Sequence, residues 1–310
     1  MPRYSSAVSK KRAPLLFGAH LLTVLCLGGL VAGCSPGERA EGSGATLVEG
    51  MDVTSWVYQL QDYPGGRLHR IQESPHQLAV IDLARDGSSD YFRRDEIAAL
   101  QRSGKRVLAY FEIGSIEDFR PEYEDVKSHD LVLNKWDDWP EEHFVRYWKQ
   151  AWWDLAVKPR VDRALAAGFD GVYLDTPLAY EEIDLSLVPG ETRDSLGRKM
   201  VDLIVEISRY AKRAEPGFWV LPQNSPELAE HGGYTEAIDG IGMEDLFFRS
   251  TADDSDIPCL EDWCAENLEG ARELRDAGKL VLAVDYASKS ENIEHACRRY
   301  REERFVGYVT

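Results

Sequence analysis

Apolar and polar positions alternate on two length scales after residue 50. Eight short, nearly continuous apolar runs lie at 56–60, 78–83, 107–113, 171–175, 218–224, 238–244, 280–286 and 305–309. Runs of this length read as strands buried on both faces. Between them apolar residues recur at helical spacing: Met200, Leu203, Ile204, Ile207 and Tyr210 in one segment, and Phe144, Trp148, Trp152 and Leu155 in another. Strands alternating with amphipathic helices imply an α/β fold with a parallel sheet, and eight of them close a single (β/α)8 TIM barrel. Gly104, Gly168 and Gly278 fall where helix C-caps are expected, and Lys158-Pro159 is expected to end one helix and start the next. No helical pattern follows the eighth run, so the last barrel helix is expected to be absent or replaced by an N-terminal piece.

The strand ends carry a second regularity. Gln59 or Gln61, Asp82, Glu112, Asp175, Asn224, Glu244 with Asp245, and Asp285 fall at the C-terminal positions of successive runs. A purely apolar core has no use for them there. Barrel active sites form on this rim because the βα loops converge on it, so a ring of acids and amides predicts a polar cleft. Capping of the next helix is the competing use for any single acid, but it explains a whole ring poorly.

The first residues read as an address. Arg3, Lys10, Lys11 and Arg12 precede an apolar stretch from Leu15 to Val31 that ends Val31-Ala32-Gly33-Cys34. This is a secretory signal pattern, and small residues just before a cysteine resemble the bacterial lipobox, in which Cys34 takes the lipid. The expected organisation is therefore a signal peptide at 1–33, a flexible Gly/Ser-rich tether at 34–50 and the barrel at 51–310, held at the extracytoplasmic face of the cell membrane or outer membrane through the N-terminal lipid. Of the remaining cysteines, Cys259 and Cys264 could form a short-range disulfide. Cys297 shares a helical face with Ile293, Ala296 and Tyr300 and reads as a buried thiol.

Composition narrows the partners. The chain has 36 Lys and Arg against 54 Asp and Glu, a formal charge of −18, and loss of the signal leaves 32 against 54, or −22. Such a surface repels phosphate backbones and favours neutral or cationic ligands, so no nucleic acid partner is expected. A monomer is expected. The seven histidines show no HxH or HExxH spacing, and no GxSxG elbow or phosphate-binding glycine loop occurs. No metal or other cofactor is expected. What remains is chemistry by two carboxyl groups, of which glycoside hydrolysis is the commonest case. Asp175 and Glu244, ending the fourth and sixth strands, make the best pair. Trp136 and Trp139, in the loop after the third strand, offer indole faces to sugar rings, whereas Trp148 and Trp152 read as barrel-covering core.

Residues from Trp56 to Val309 resemble glycoside hydrolase family 114, the endo-α-1,4-polygalactosaminidases. The resemblance rests on Trp56-Val57-Tyr58-Gln59-Leu60, on Tyr110, Gly114, Glu117 and Arg120, on Gly168 to Asp175 (GFDGVYLD), on Pro222-Gln223-Asn224, on Gly240 to Asp245 (GIGMED) and on Val284-Asp285-Tyr286. It implies a retaining mechanism with Asp175 as nucleophile and Glu244 as general acid/base, acting on an α-1,4-linked galactosamine polymer. Asp82, Tyr110, Asn224, Asp285, Tyr286 and Trp136 are then expected to hold the sugar. Glu112 departs from the family pattern and is expected either to add a cation-binding group or to signal a different sugar. A carbohydrate-binding protein without catalysis and a glycosidase for neutral or N-acetylated glycans are the alternative readings.

Overall fold

The computed structural model describes Cys34 and residues 53–137, 139–250 and 255–310. The expected signal segment at 1–33 and the expected tether beyond Cys34 lie outside the described residues. Eight parallel strands form where the apolar runs predict them: β1 (Trp56–Gln59), β2 (Leu78–Asp82), β3 (Arg106–Glu112), β4 (Gly171–Asp175), β5 (Trp219–Pro222), β6 (Gly240–Glu244), β7 (Leu280–Asp285) and β8 (Val306–Val309). β1 to β5 pair in sequence order, as do β6 to β8. A parallel bridge between Gln223 and Gly242 joins the two sheets, with the Asn224 amide donating to the Gly242 carbonyl at 2.7 Å. β8 returns beside β1, where the Trp56 and Tyr308 rings lie 5.9 Å apart. The outcome is the expected TIM barrel.

Aromatic rings fill the barrel. Tyr173 on β4 lies between Trp56, Tyr58 and Tyr110, with centroids 6.4, 5.6 and 6.4 Å away. Gly242 makes room for it, since a Cβ there would sit 1.9 Å from the Tyr173 hydroxyl. Helix Arg193–Ala214 covers the outside with the predicted stripe of Met200, Leu203, Ile204 and Ile207 buried and Thr192 as its N-cap. Gly104, Gly168 and Gly278 adopt the left-handed backbone expected at C-caps.

Two helical expectations are corrected. Phe144 lies in a strand (Glu142–Val145) and not on a helix with Trp152; helical structure starts only at Gln150. The period-3.6 coincidence across 144–155 spans a strand, a turn and a helix. Pro159 also does not divide two helices. The helix continues from Gln150–Trp152 through a π-turn (Trp153–Val157) into Lys158–Ala167. The wider turn gives the proline ring space and absorbs the hydrogen bond its missing N–H cannot make.

After β3 the chain builds a three-stranded antiparallel sheet on the rim, with Glu142–Val145 between Ser115–Glu117 and Val132–Lys135. Cys259 and Cys264 are joined. Cys297 is buried as expected but is not a thiol: it is bonded to Cys34, 263 residues away. A sulfur in a disulfide cannot carry a thioether lipid, so this pairing and the lipid expected on Cys34 exclude each other. No helix among the described residues is long and apolar enough to cross a membrane.

Candidate active site

Asp175 and Glu244 end β4 and β6, and the strands' common direction brings both to one rim. The Glu244 carboxylate accepts from Gln223 Nε2 at 2.5 Å, Asn224 Nδ2 at 3.2 Å and the Tyr286 hydroxyl at 2.6 Å. Its own amide donates to Asn224 Oδ1 at 2.9 Å, fixing backbone and side chain together. Asp175 accepts from the Thr176 amide at 2.7 Å and from the Tyr110 hydroxyl. Tyr58 closes the gap between the two acids. Its hydroxyl donates to Gln223 Oε1 at 3.1 Å, and its ring meets Tyr110 edge-on at 6.3 Å.

The backbone is strained where the site is built. Thr176, Asn224, Ser225 and Asp245 all have φ between 54° and 61°, a region that a β-branched threonine in particular avoids. These four positions lie within three residues after the ends of β4, β5 and β6. Strain concentrated on one rim marks a place where side-chain direction outweighs local stability.

Burial raises both carboxyls. Asp175 is lifted to about 7, chiefly by desolvation, against the pull of Tyr110 and with the negative charge of Glu244 pushing further. Glu244 is also raised by burial, but its three donors favour the carboxylate. Asp245, lifted to about 8 by burial and by Glu244 and Asp285, adds a third acid with one oxygen buried and unpartnered.

Of the residues expected at the site, Tyr110, Asn224 and Tyr286 contact the acid pair directly, and all three retain exposed surface. Trp136 stands on the rim sheet, half-buried against Phe144 at 5.3 Å. Three acids do not face the cleft. Asp82, Glu112 and Asp285 are 4%, 1% and 0% exposed. Arg120 holds Asp82 at 3.3 Å and Glu112 at 3.1 Å, while Arg160 takes the other Glu112 oxygen at 2.9 Å. Asp285 accepts from the Phe247 amide at 3.0 Å and braces the loop after β6. Their position at strand ends is as expected, but Arg120 and Arg160 engage Asp82 and Glu112, and the Phe247 amide engages one oxygen of Asp285. This corrects their assignment to sugar binding, and Glu112 in particular is a structural anchor.

Sequence reasoning missed Tyr58 and Gln223 as parts of the acid-positioning network. Both stand inside quoted motifs, but nothing in their spacing shows that they reach each other.

A barrel with two buried, tyrosine-linked carboxyls on its C-terminal rim has the architecture of a TIM-barrel glycosidase. The chain belongs to glycoside hydrolase family GH114, whose model matches residues 38–310, and it is a glycosidase. Uncharacterized proteins of Deinococcus radiodurans and Thermotoga maritima are each 30% identical to it, over 83% and 84% of this chain and 80% of their own lengths. Among solved structures it resembles the glycoside hydrolase domain of PelA from Pseudomonas aeruginosa, with a TM-score of 0.63 and 18% identity over 83% of this chain and 94% of that one. It equally resembles Aspergillus fumigatus Ega3 in complex with galactosamine, with a TM-score of 0.63 and 17% identity over 86% and 96% of the two chains.

Proposed function

We propose that this protein is an exported, endo-acting glycosidase that cleaves α-1,4-linked galactosamine polymers with retention of configuration. The observation that carries the reading is the Asp175–Glu244 pair, held on one rim by Tyr110, Tyr58, Gln223, Asn224 and Tyr286. Asp175 attacks the anomeric carbon as the leaving oxygen takes a proton from Glu244. Glu244 then removes a proton from the water that opens the glycosyl ester, which returns Asp175 as a carboxylate.

These roles need ionised Asp175 and protonated Glu244, and burial raises both carboxyls. A cationic sugar beside Asp175 favours this state by stabilising that carboxylate. A formal charge of −22 after signal removal favours such a substrate over a neutral one. Export is supported by the N-terminal signal pattern and by two disulfides, which persist in oxidising compartments.

The test is incubation with de-N-acetylated α-1,4-galactosaminan, following oligomer release by mass spectrometry and product anomer by NMR. Endo cleavage gives a ladder of oligomers with the α anomer appearing first. A 5-fluoro galactosaminyl fluoride should label the Asp175 peptide; label on any other residue removes Asp175 as nucleophile. Binding of the polymer without any product supports the non-catalytic reading instead.

A further inference from the structure

Tyr286 gives the Glu244 side chain one of its three hydrogen bonds, at 2.6 Å. It stands one residue beyond β7, where the strand pairing has ended. The loop after β6 fixes it there. The Tyr286 amide donates to the Phe248 carbonyl, and the Tyr286 carbonyl accepts from the Asp256 amide, each at 3.1 Å. Phe248 and Asp256 belong to opposite arms of one hairpin, whose strands Phe248–Arg249 and Ile257–Pro258 pair antiparallel. The tyrosine backbone is thus gripped from both arms. The base of the hairpin is fastened separately, by the Cys259 amide on the Phe247 carbonyl at 2.9 Å and by the Cys259–Cys264 disulfide to helix Asp262–Asp276.

Asp256 makes its contact from an unusual conformation. Its φ is 63°, in the left-handed region that residues other than glycine seldom enter, although aspartate does so more readily than most. It is buried, and its carboxylate accepts four hydrogen bonds of 2.6 to 3.1 Å, from the Ser288 amide and hydroxyl, the Lys289 amide and Asn292 Nδ2. All four donors come from the segment that follows Tyr286. One residue therefore binds the tyrosine through its amide and the chain beyond it through its carboxylate. Hydrogen bonds to an ionised group are strong enough to hold a strained backbone in place. Without them Asp256 relaxes to an ordinary φ, and its amide turns away from the Tyr286 carbonyl.

We infer that Asp256 is a positioning residue of this glycosidase, holding Tyr286 so that its hydroxyl reaches Glu244. The inference goes beyond the galactosaminidase reading and is independent of the sugar, but it rests on Glu244 as the general acid/base. The Tyr286 hydroxyl favours the Glu244 carboxylate. A tyrosine that drifts out of reach leaves Glu244 holding its proton to higher pH.

The experiment follows kcat/KM against pH for the wild type, Asp256→Ala, Tyr286→Phe and the double variant on an α-1,4-galactosamine oligomer, with Tm recorded at each pH. The alkaline limb reports Glu244 in the free enzyme. Tyr286→Phe should move it upward by roughly one pH unit, the size of one hydrogen bond to a charged group, and Asp256→Ala by roughly half a unit or more. The double variant should coincide with Tyr286→Phe, because Asp256 acts through that hydroxyl. A purely structural Asp256 lowers Tm and leaves the limb in place. An unmoved limb in Asp256→Ala, or shifts that add in the double variant, overturns the inference while leaving the role of Glu244 intact. Should the alanine variant fail to fold, Asp256→Asn, which keeps one accepting oxygen, should give a smaller shift in the same direction, and an unmoved limb there counts equally against it. Carboxyl 13C NMR titration of glutamate-labelled protein, with Glu244→Gln to assign the signal, should show the same upward shift without substrate. A wild type that leaves the oligomer intact overturns the galactosaminidase reading alone, since the titration still decides the place of Asp256.

Discussion

Asp175 and Glu244 are chemically similar side chains whose partners differ. Backbone and phenol donors serve Asp175, whereas amides and a phenol saturate Glu244. Asp175→Asn and Glu244→Gln should each cost orders of magnitude in kcat with the fold preserved, read by steady-state kinetics and circular dichroism. In the proposed mechanism attack needs ionised Asp175, so kcat/KM should rise with pH through about 7 and fall again as Glu244 loses its proton. A profile flat between pH 6 and 8 contradicts this. The same shift acts on stability. The folded chain keeps the Asp175 proton up to about pH 7, the unfolded chain only to about 3.8, so in that window stability drops as pH rises. Asp175→Asn should therefore raise Tm relative to wild type at pH 8, with the gain vanishing below about pH 4. At this scale the sequence names the two acids through their place at the ends of apolar strands. It does not name Tyr58 or Gln223, whose roles depend on contacts across 165 residues.

At the scale of elements, strand and helix packing depend on positions that local pattern marks only in part. Gly242→Ala places a methyl carbon against the Tyr173 phenol and against two more ring atoms, so the ring must shift from beneath both acids. A loss of about 1–3 kcal/mol in chemical denaturation is expected, with activity falling alongside. Asp256 caps helix Ser290–Glu303 from a distant loop, accepting from the Ser288 and Lys289 amides at 3.1 and 3.0 Å, from Ser288 Oγ at 2.6 Å and from Asn292 Nδ2 at 2.9 Å. These donors hold its carboxyl well below the usual range, so its stabilisation is complete above the ordinary carboxylate pKa and disappears in strong acid. Asp256→Ala should cost about 1–2 kcal/mol at pH 7 and progressively less as acid protonates the wild-type residue, seen as converging Tm values. Strands were legible because burial on both faces leaves continuous apolar runs. The rim sheet was not, since its short segments carry Glu117, Lys135 and Glu142, and the apparent helix from Phe144 to Leu155 mixed three conformations in one spacing.

For the whole molecule, the disulfide ties Cys34 to helix Ser290–Glu303 through Cys297. Non-reducing peptide mapping of the exported protein should recover a Cys34–Cys297 linked peptide, and Cys297→Ser should lower stability by about 2–4 kcal/mol. A diacylglyceryl group on Cys34 in that material contradicts the pairing. The amino-acid sequence alone determines the number and order of the barrel strands and the side of the barrel on which the acids gather. All of these follow from burial and from the shared direction of parallel strands, which are properties of local segments. Only the tertiary structure decides which rim acids remain available to a sugar. Arg120 and Arg160 reach Asp82 and Glu112 across the fold, and the loop after β6 closes over Asp285. A carboxyl's availability depends on partners that are distant in sequence, and the same holds for the two sulfurs that find each other across 263 positions.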